Sequence, residues 1–264
     1  MTLSIIPKDV RKIILQQSKR ANVGHIGSAL SVVEILSAIY SGVMKIDDFS
    51  DPDRDRFVLS KGHAALALYA VLHLRGAISH AELETFLCND SLLGVHPEYQ
   101  LHGVDFSSGS LGQGLSLGAG AALAGRLLNS LRRVFVVMSD AECNEGSIWE
   151  AAMFAAHRKL GNLIAIIDLN GQQAFGYTRD VCSMPNMADR WRSFGWNAQE
   201  VDGHDMSALD DALERCKVEQ HSPHLIVAQT TFGKGVSFME NQIKWHYLPM
   251  SDDEFTQAMK EVCS

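Results

Sequence analysis

Residues 134–173, VFVVMSDAECNEGSIWEAAMFAAHRKLGNLIAIIDLNGQQ, carry the pattern from which the fold can be read. Val134 to Met138 is an apolar, β-branched run of strand length, and Leu163 to Ile167 is a second. Between them, Ile148 to Leu160 spaces its apolar residues as a helix does. Strand, helix and strand in this order form a βαβ unit, whose two strands lie parallel in one sheet.

The alternation continues in both directions. Downstream, Ser207 to Val218 reads as a helix and His224 to Gln229 as a strand; upstream, Phe57-Val58-Leu59 is a short strand candidate. Lys8 to Ala21 and Ser31 to Tyr40 have helical spacing, with a short loop from Asn22 to Ser28 between them, while charged Asp47 to Arg56, containing Pro52, reads as a surface connection. The expected architecture is α/β: a mostly parallel sheet covered by helices on both faces. Such sheets bind ligands outside the carboxyl ends of their strands, so the segments after Leu59, Met138 and Ile167 are the ones to inspect.

With 264 residues, 46% hydrophobic and 20% charged, the chain can bury a sizeable core. Its net charge of -8 argues against a nucleic-acid partner, which a basic face would attract. The five cysteines are scattered without a CxxC, so a reducing cytoplasm is the expected setting and a disulfide framework is not. No apolar run is long enough to span a membrane, and the first residues, Met1 to Lys12, lack the apolar core of a signal peptide.

Two of the inspected segments offer oxygen ligands. Ser139-Asp140-Ala141-Glu142-Cys143-Asn144-Glu145-Gly146 follows one strand, and Asp168-Leu169-Asn170-Gly171-Gln172 the next. Magnesium prefers oxygen donors, so Asp140, the Asn170 amide oxygen and a backbone carbonyl near Gln172 suit it. Taken alone, an Asp and an Asn at strand ends are ordinary turn and N-cap residues. The histidines His25, His63 and His96 are of a type that titrates near neutral pH and serves proton transfer, yet a lone loop histidine is usually a surface residue. A zinc site would want compact HExxH spacing, which they lack. The glycine-rich run Leu111 to Gly118 fits neither GxGxxG nor a Walker loop, which leaves nicotinamide and ATP poorly supported.

The block from Ser139 through Gly176 resembles the thiamine diphosphate motif of the transketolase family, which opens with Gly-Asp-Gly and closes with an Asn at the next strand end. Four further segments are similar to that family in the same order: Asn22-Val23-Gly24-His25-Ile26-Gly27, Ser60-Lys61-Gly62-His63-Ala64, Gly94-Val95-His96-Pro97-Glu98 and Ser108-Gly109-Ser110-Leu111-Gly112-Gln113-Gly114. Thr231-Phe232-Gly233-Lys234-Gly235 with Trp245-His246 resembles the family's last histidine segment. The chain departs at the opening, where Ser139 and Ala141 replace the two glycines; a Cβ at the second is tolerated only where φ is negative.

The resemblance implies thiamine diphosphate and Mg2+ as cofactors and transfer of a two-carbon ketol unit from a ketose phosphate to an aldose phosphate. It assigns the cofactor to His63, Gly109, Leu111, Asp140, Ala141, Glu142 and Asn170, and the metal to Asp140, Asn170 and Gln172. It gives His25, His63, His96 and His246 the sugar and phosphate chemistry, and Glu145 a place at a subunit interface. It covers nearly the whole chain as one diphosphate-binding domain, residues 1–264, and leaves no room for the family's pyrimidine-binding and C-terminal domains. A separate pyrimidine-domain subunit, in an α2β2 assembly, is therefore expected. The alternatives are another thiamine enzyme subunit, such as a deoxyxylulose-phosphate synthase relative, and a non-catalytic binding subunit.

Overall fold

A computed structural model describes residues 4–217 and 221–264, so Val218 and Met1 lie outside the described residues. The first half contains α1 (Pro7–Ala21), α2 (Ile26–Ser31), α3 (Val33–Ala38), β1 (Arg56–Leu59), α4 (Ala65–Leu74), α5 (His80–Leu83) and α6 (Gly114–Leu127). Next come β2 (Val134–Ser139), α7 (Gly146–His157), β3 (Leu163–Leu169), the short strands β4 (Gln172–Gln173) and β5 (Gly176–Tyr177), and α8 (Thr178–Val181). The chain closes with α9 (Met187–Ser193), β6 (Asn197–Asp202), α10 (Met206–Arg215), β7 (His224–Gln229) and α11 (Asp252–Cys263).

The main sheet has the order β1-β2-β3-β7-β6 with every pairing parallel, and β4 and β5 form a separate antiparallel pair. Successive side chains of a strand point to opposite faces. Phe135 and Val137 accordingly join Ile164, Ile166, Ile226 and Ala228 in one core, while Val134, Val136 and Met138 join Leu163, Ala165, Ile167 and Val227 in another. The first core is roofed by α1 to α4, α10 and α11, the second by α6, α7 and α9. Helices thus cover both faces of a mostly parallel sheet, as the sequence pattern implies.

The structure departs from the expected elements in four places. The helix expected over Ser31–Tyr40 is broken at Val32 and ends in a wider turn, Ile39–Val43, around Gly42 at φ 140°. α2 begins at Ile26, which shortens the preceding loop. β6 has no apolar run to announce it: it is an edge strand with polar Asn197, Gln199, Glu200 and Asp202. The Asp47–Arg56 connection ends inside the protein, where buried Arg54 pairs with Asp105 at 2.8 Å and buried Asp55 with Arg133 at 2.7 Å. Because the strands are parallel, the segments after Leu59, Ser139, Leu169 and Gln229 all emerge at one edge of the sheet.

Candidate active site

Asp140 leaves β2 directly and ties it to the next strand end. One carboxylate oxygen accepts the Ala141 N–H at 2.9 Å and the other the Gly171 N–H at 3.0 Å. The adjoining Asn170 is buried; its Oδ1 accepts the Gln172 N–H at 3.0 Å and its Nδ2 donates to Asp168 at 2.9 Å. Burial above all, then the nearby Asp168 charge, pushes the Asp140 carboxyl up to about 7. A cation at its side would restore the ionised form.

Behind these donors lies a second carboxylate, Asp168, wholly buried and ion-paired with wholly buried Lys61. Ser31 Oγ donates to it at 2.6 Å and the Thr230 hydroxyl donates to its other oxygen. Lys61 also reaches the Ser28 carbonyl at 3.2 Å, which binds the loop after β1 to α2.

Glu142 sits deeper than a loop acid at a helix start would. It is wholly buried and accepts from Ser60 Oγ at 2.5 Å, from the Gly112 N–H at 2.9 Å and from the Ser139 N–H at 2.9 Å. The Glu142 N–H in turn donates to Ser139 Oγ at 3.2 Å, so the two residues satisfy each other as in a capping box. Ser139 therefore has a structural use. Ala141 begins a 3-10 turn, Ala141–Asn144, and is not among the residues with positive φ, so its backbone accepts a Cβ.

Opposite the acids stand three imidazoles. Ring centroids lie 5.7 Å apart for His25 and His63, 5.3 Å for His25 and His246, and 5.5 Å for His63 and His246. His25 caps α2 with φ 60°, a left-handed conformation that few residues other than glycine adopt, and its N–H donates to the His246 carbonyl at 3.3 Å. Gly24 permits this approach, since a Cβ there would stand 2.4 Å from the Tyr247 carbonyl oxygen. His246 stacks on buried Phe232 with centroids 6.0 Å apart.

All three rings are held neutral at physiological pH. Burial lowers His63 well below the usual imidazole range, helped by Lys61 and the neighbouring histidines. Burial followed by His25 and Lys61 brings His246 to about 4, and burial followed by His96 lowers His25. Nδ1 of His25 and Nδ1 of His246 are buried without a hydrogen-bond partner in the chain. Neutral imidazoles with spare ring nitrogens can give or take hydrogen bonds with a hydroxylated ligand.

The remaining candidates lie on several loops. His96 is exposed, and its ring packs so closely on Gly109, at φ 136°, that a Cβ there would lie 2.8 Å from a ring carbon. Leu111 is 38% exposed in the loop that Glu142 anchors through Gly112. Glu145 is exposed at the start of α7, and Gln172 is buried with both side-chain polar atoms unpartnered. Lys234 turns instead to a groove shared with Thr230, Thr231 and His204, where it lies 3.8 Å from Glu240. Lys61 and Asp168 have no role assigned from sequence; an Asp closing an apolar run is the cue that could have drawn attention to the pair.

The oxygens of Asp140 and Asn170 fit a hard divalent cation better than a softer metal. Among the described residues no three of His, Cys, Asp and Glu stand together as a metal site. Asp140 and Asn170 offer oxygens at two adjacent strand ends, and the backbone around Gly171 and Gln172 continues the same turn.

Comparison with known proteins agrees. The family described as transketolase, thiamine diphosphate binding domain, matches residues 4–263. An apulose-4-phosphate transketolase subunit from Phocaeicola vulgatus is 39% identical over 263 residues, covering 99% of this chain and 94% of its own. The 6-deoxy-6-sulfo-D-fructose transketolase subunit SqwG of a Clostridium species is 39% identical over 256 residues, covering 96% and 93%. The transketolase of Leishmania mexicana superposes with a TM-score of 0.92 at 27% identity, over 100% of this chain and 41% of that one. The chain thus spans about two fifths of that transketolase but nearly all of the subunit-length relatives. It belongs to the transketolase family, as a transketolase-type transferase subunit built on the thiamine diphosphate-binding domain.

Proposed function

We propose that this chain is the diphosphate-binding, N-terminal subunit of a split transketolase. With thiamine diphosphate and Mg2+ it moves a two-carbon ketol unit from a ketose phosphate to an aldose phosphate, once a pyrimidine-domain subunit completes the site. The observation that carries this reading is one sheet edge holding both the Asp140–Asn170 oxygen donors and three neutral histidines. Residues 1–264 form one domain in this proposal. The subunit-length relatives are named for apulose-4-phosphate and for 6-deoxy-6-sulfo-D-fructose, so a sugar with an anionic end is the substrate class assigned here.

Asp140, Asn170 and the Gln172 carbonyl would hold the metal, and His63, Gly109, Leu111, Ala141 and Asn170 the cofactor. Bound there, the cofactor would supply the electron sink for breaking and remaking a ketose carbon–carbon bond. His25, His63, His96 and His246 bind the sugar hydroxyls and pass protons between them, a task that the neutral rings of His25, His63 and His246 suit. Glu142 contributes by fixing the loop that carries Leu111.

The partner's seat is the outer face of α6 and α7. Leu117 and Leu127 on α6 and Met153 and Phe154 on α7 are exposed, as is Glu145 at the start of α7. An α2β2 assembly would cover it. Five free cysteines suit a reducing cytoplasm, and among the described residues no helix is long and apolar enough to cross a membrane.

The test is mild affinity purification of the chain from its source with thiamine diphosphate and Mg2+ present, followed by mass spectrometry and a ketol-transfer assay. The expected result is a pyrimidine-domain chain bound to it and cofactor-dependent transfer. Recovery of the chain alone, without cofactor, would favour the non-catalytic alternative instead.

A further inference from the structure

Lys61 and Asp168 are wholly buried and oppositely charged, and they join the end of β1 to the end of β3. Removing two charges from water is expensive, and a buried pair seldom stabilises a fold more than apolar residues of the same volume would. The hydrogen bonds around the pair suggest what it is for. One Asp168 oxygen takes Lys61 Nζ, Ser31 Oγ at 2.6 Å and Asn170 Nδ2 at 2.9 Å, and the other takes the Thr230 hydroxyl. An ionised carboxylate accepts hydrogen bonds and donates none, so the Asn170 amide must present its NH2 to it. The amide oxygen then faces the opposite way, where it accepts the Gln172 N–H at 3.0 Å and keeps a second lone pair free.

We infer that Asp168 and Lys61 are positioning residues that lock the Asn170 amide with its oxygen toward the divalent-cation site. The inference rests on the metal role proposed above for Asn170. Asp168 fixes which atom of the amide faces the ion. Lys61 neutralises Asp168, so the charge offered to the ion is that of Asp140 alone. The lock extends further, because Lys61 also reaches the Ser28 carbonyl on α2, the helix capped by His25, and stands two residues before His63.

The test is Mn2+ titration of the chain, assembled with the partner subunit that co-purifies with it, in the presence of thiamine diphosphate, read as loss of the free-ion electron paramagnetic resonance signal. Lys61→Met combined with Asp168→Leu removes the charges and the acceptor but keeps the volume apolar. Its Mn2+ affinity is expected to fall roughly ten- to a hundredfold, the range for outer-shell partners of a metal ligand, while the thermal midpoint of the ligand-free chain stays near the parent's. Affinity within about twofold of the parent's in a folded variant overturns the inference. So does a lowered midpoint with intact affinity, which marks a purely structural pair. Should the double variant not fold, near-isosteric Asp168→Asn carries the same test, with the same loss expected and the same twofold limit overturning it. A parent assembly that binds no Mn2+ with thiamine diphosphate overturns the metal reading itself, and the inference with it.

Discussion

The strand-end carboxylates and the histidine cluster are held very differently. Glu142 accepts three hydrogen bonds from the protein and Asp168 four, and Asp140 and Asn170 are each fixed by backbone N–H groups. The three imidazoles pack against one another and Phe232, and two of their ring nitrogens are buried without a partner. A saturated network holds its geometry before any ligand arrives, while a buried unpartnered nitrogen is a hydrogen bond left for a ligand to complete. The acids are therefore the preorganised half of the site and the histidines the half that responds to what binds.

This contrast can be broken at several points. Asp140→Ala is expected to lower Mg2+ affinity with thiamine diphosphate more than a hundredfold, over about 2.7 kcal/mol, in a calorimetric titration. A loss of less than tenfold would remove Asp140 from the metal set. Glu142→Ala strands the Ser60 hydroxyl and the Gly112 and Ser139 N–H groups. A stability loss of roughly 2 kcal/mol should follow in urea unfolding, and an unchanged midpoint would mean that the network is not structural.

The histidine half predicts a pH dependence. The folded His246 titrates near 4 and the unfolded one near 6.5, so the folded state binds fewer protons between these values. Its stability contribution is complete above about pH 6.5 and is lost as pH falls toward 4, by roughly 1–2 kcal/mol once the solvent-facing edge of the ring is allowed for. Urea unfolding at about pH 7 and pH 5 should show this loss in the parent and less of it in His246→Gln; equal losses in both would contradict the assignment. The smallest effect is expected from Ala141→Gly. With no positive φ to relieve, cofactor affinity should shift less than about threefold, under roughly 0.7 kcal/mol. A tenfold gain would show that the methyl group obstructs the diphosphate.

The βαβ unit was legible because β2 and β3 are continuous buried apolar runs and α7 between them buries one helical face, and the strand ends led directly to Asp140 and Asn170. β6 was not, because an edge strand exposes one side and this one places Gln199 and Glu200 among its few apolar residues. Arg54, Asp55, Lys61 and Asp168 escaped for another reason. A charged residue looks like surface in sequence, and its burial depends on a partner brought close only by the finished fold. Glu142 lies between these cases: Ser139-x-x-Glu142 has capping-box spacing, but its third contact, to Gly112, comes from a distant loop.

The hydrogen bond from the His25 N–H to the His246 carbonyl has a consequence for how the chain matures. It joins residues far apart along the polypeptide, a closure that carries an entropic penalty and is slow to form. On the ribosome the loop carrying His25 emerges before the segment carrying His246 and must wait for it. A nascent chain still short of residue 246 can assemble the strands up to β7, yet it lacks one of the three rings and the contact that holds His25 in place. Closure of the three-ring cluster is thus deferred until the segment after β7 has been made and folds back onto the His25 loop.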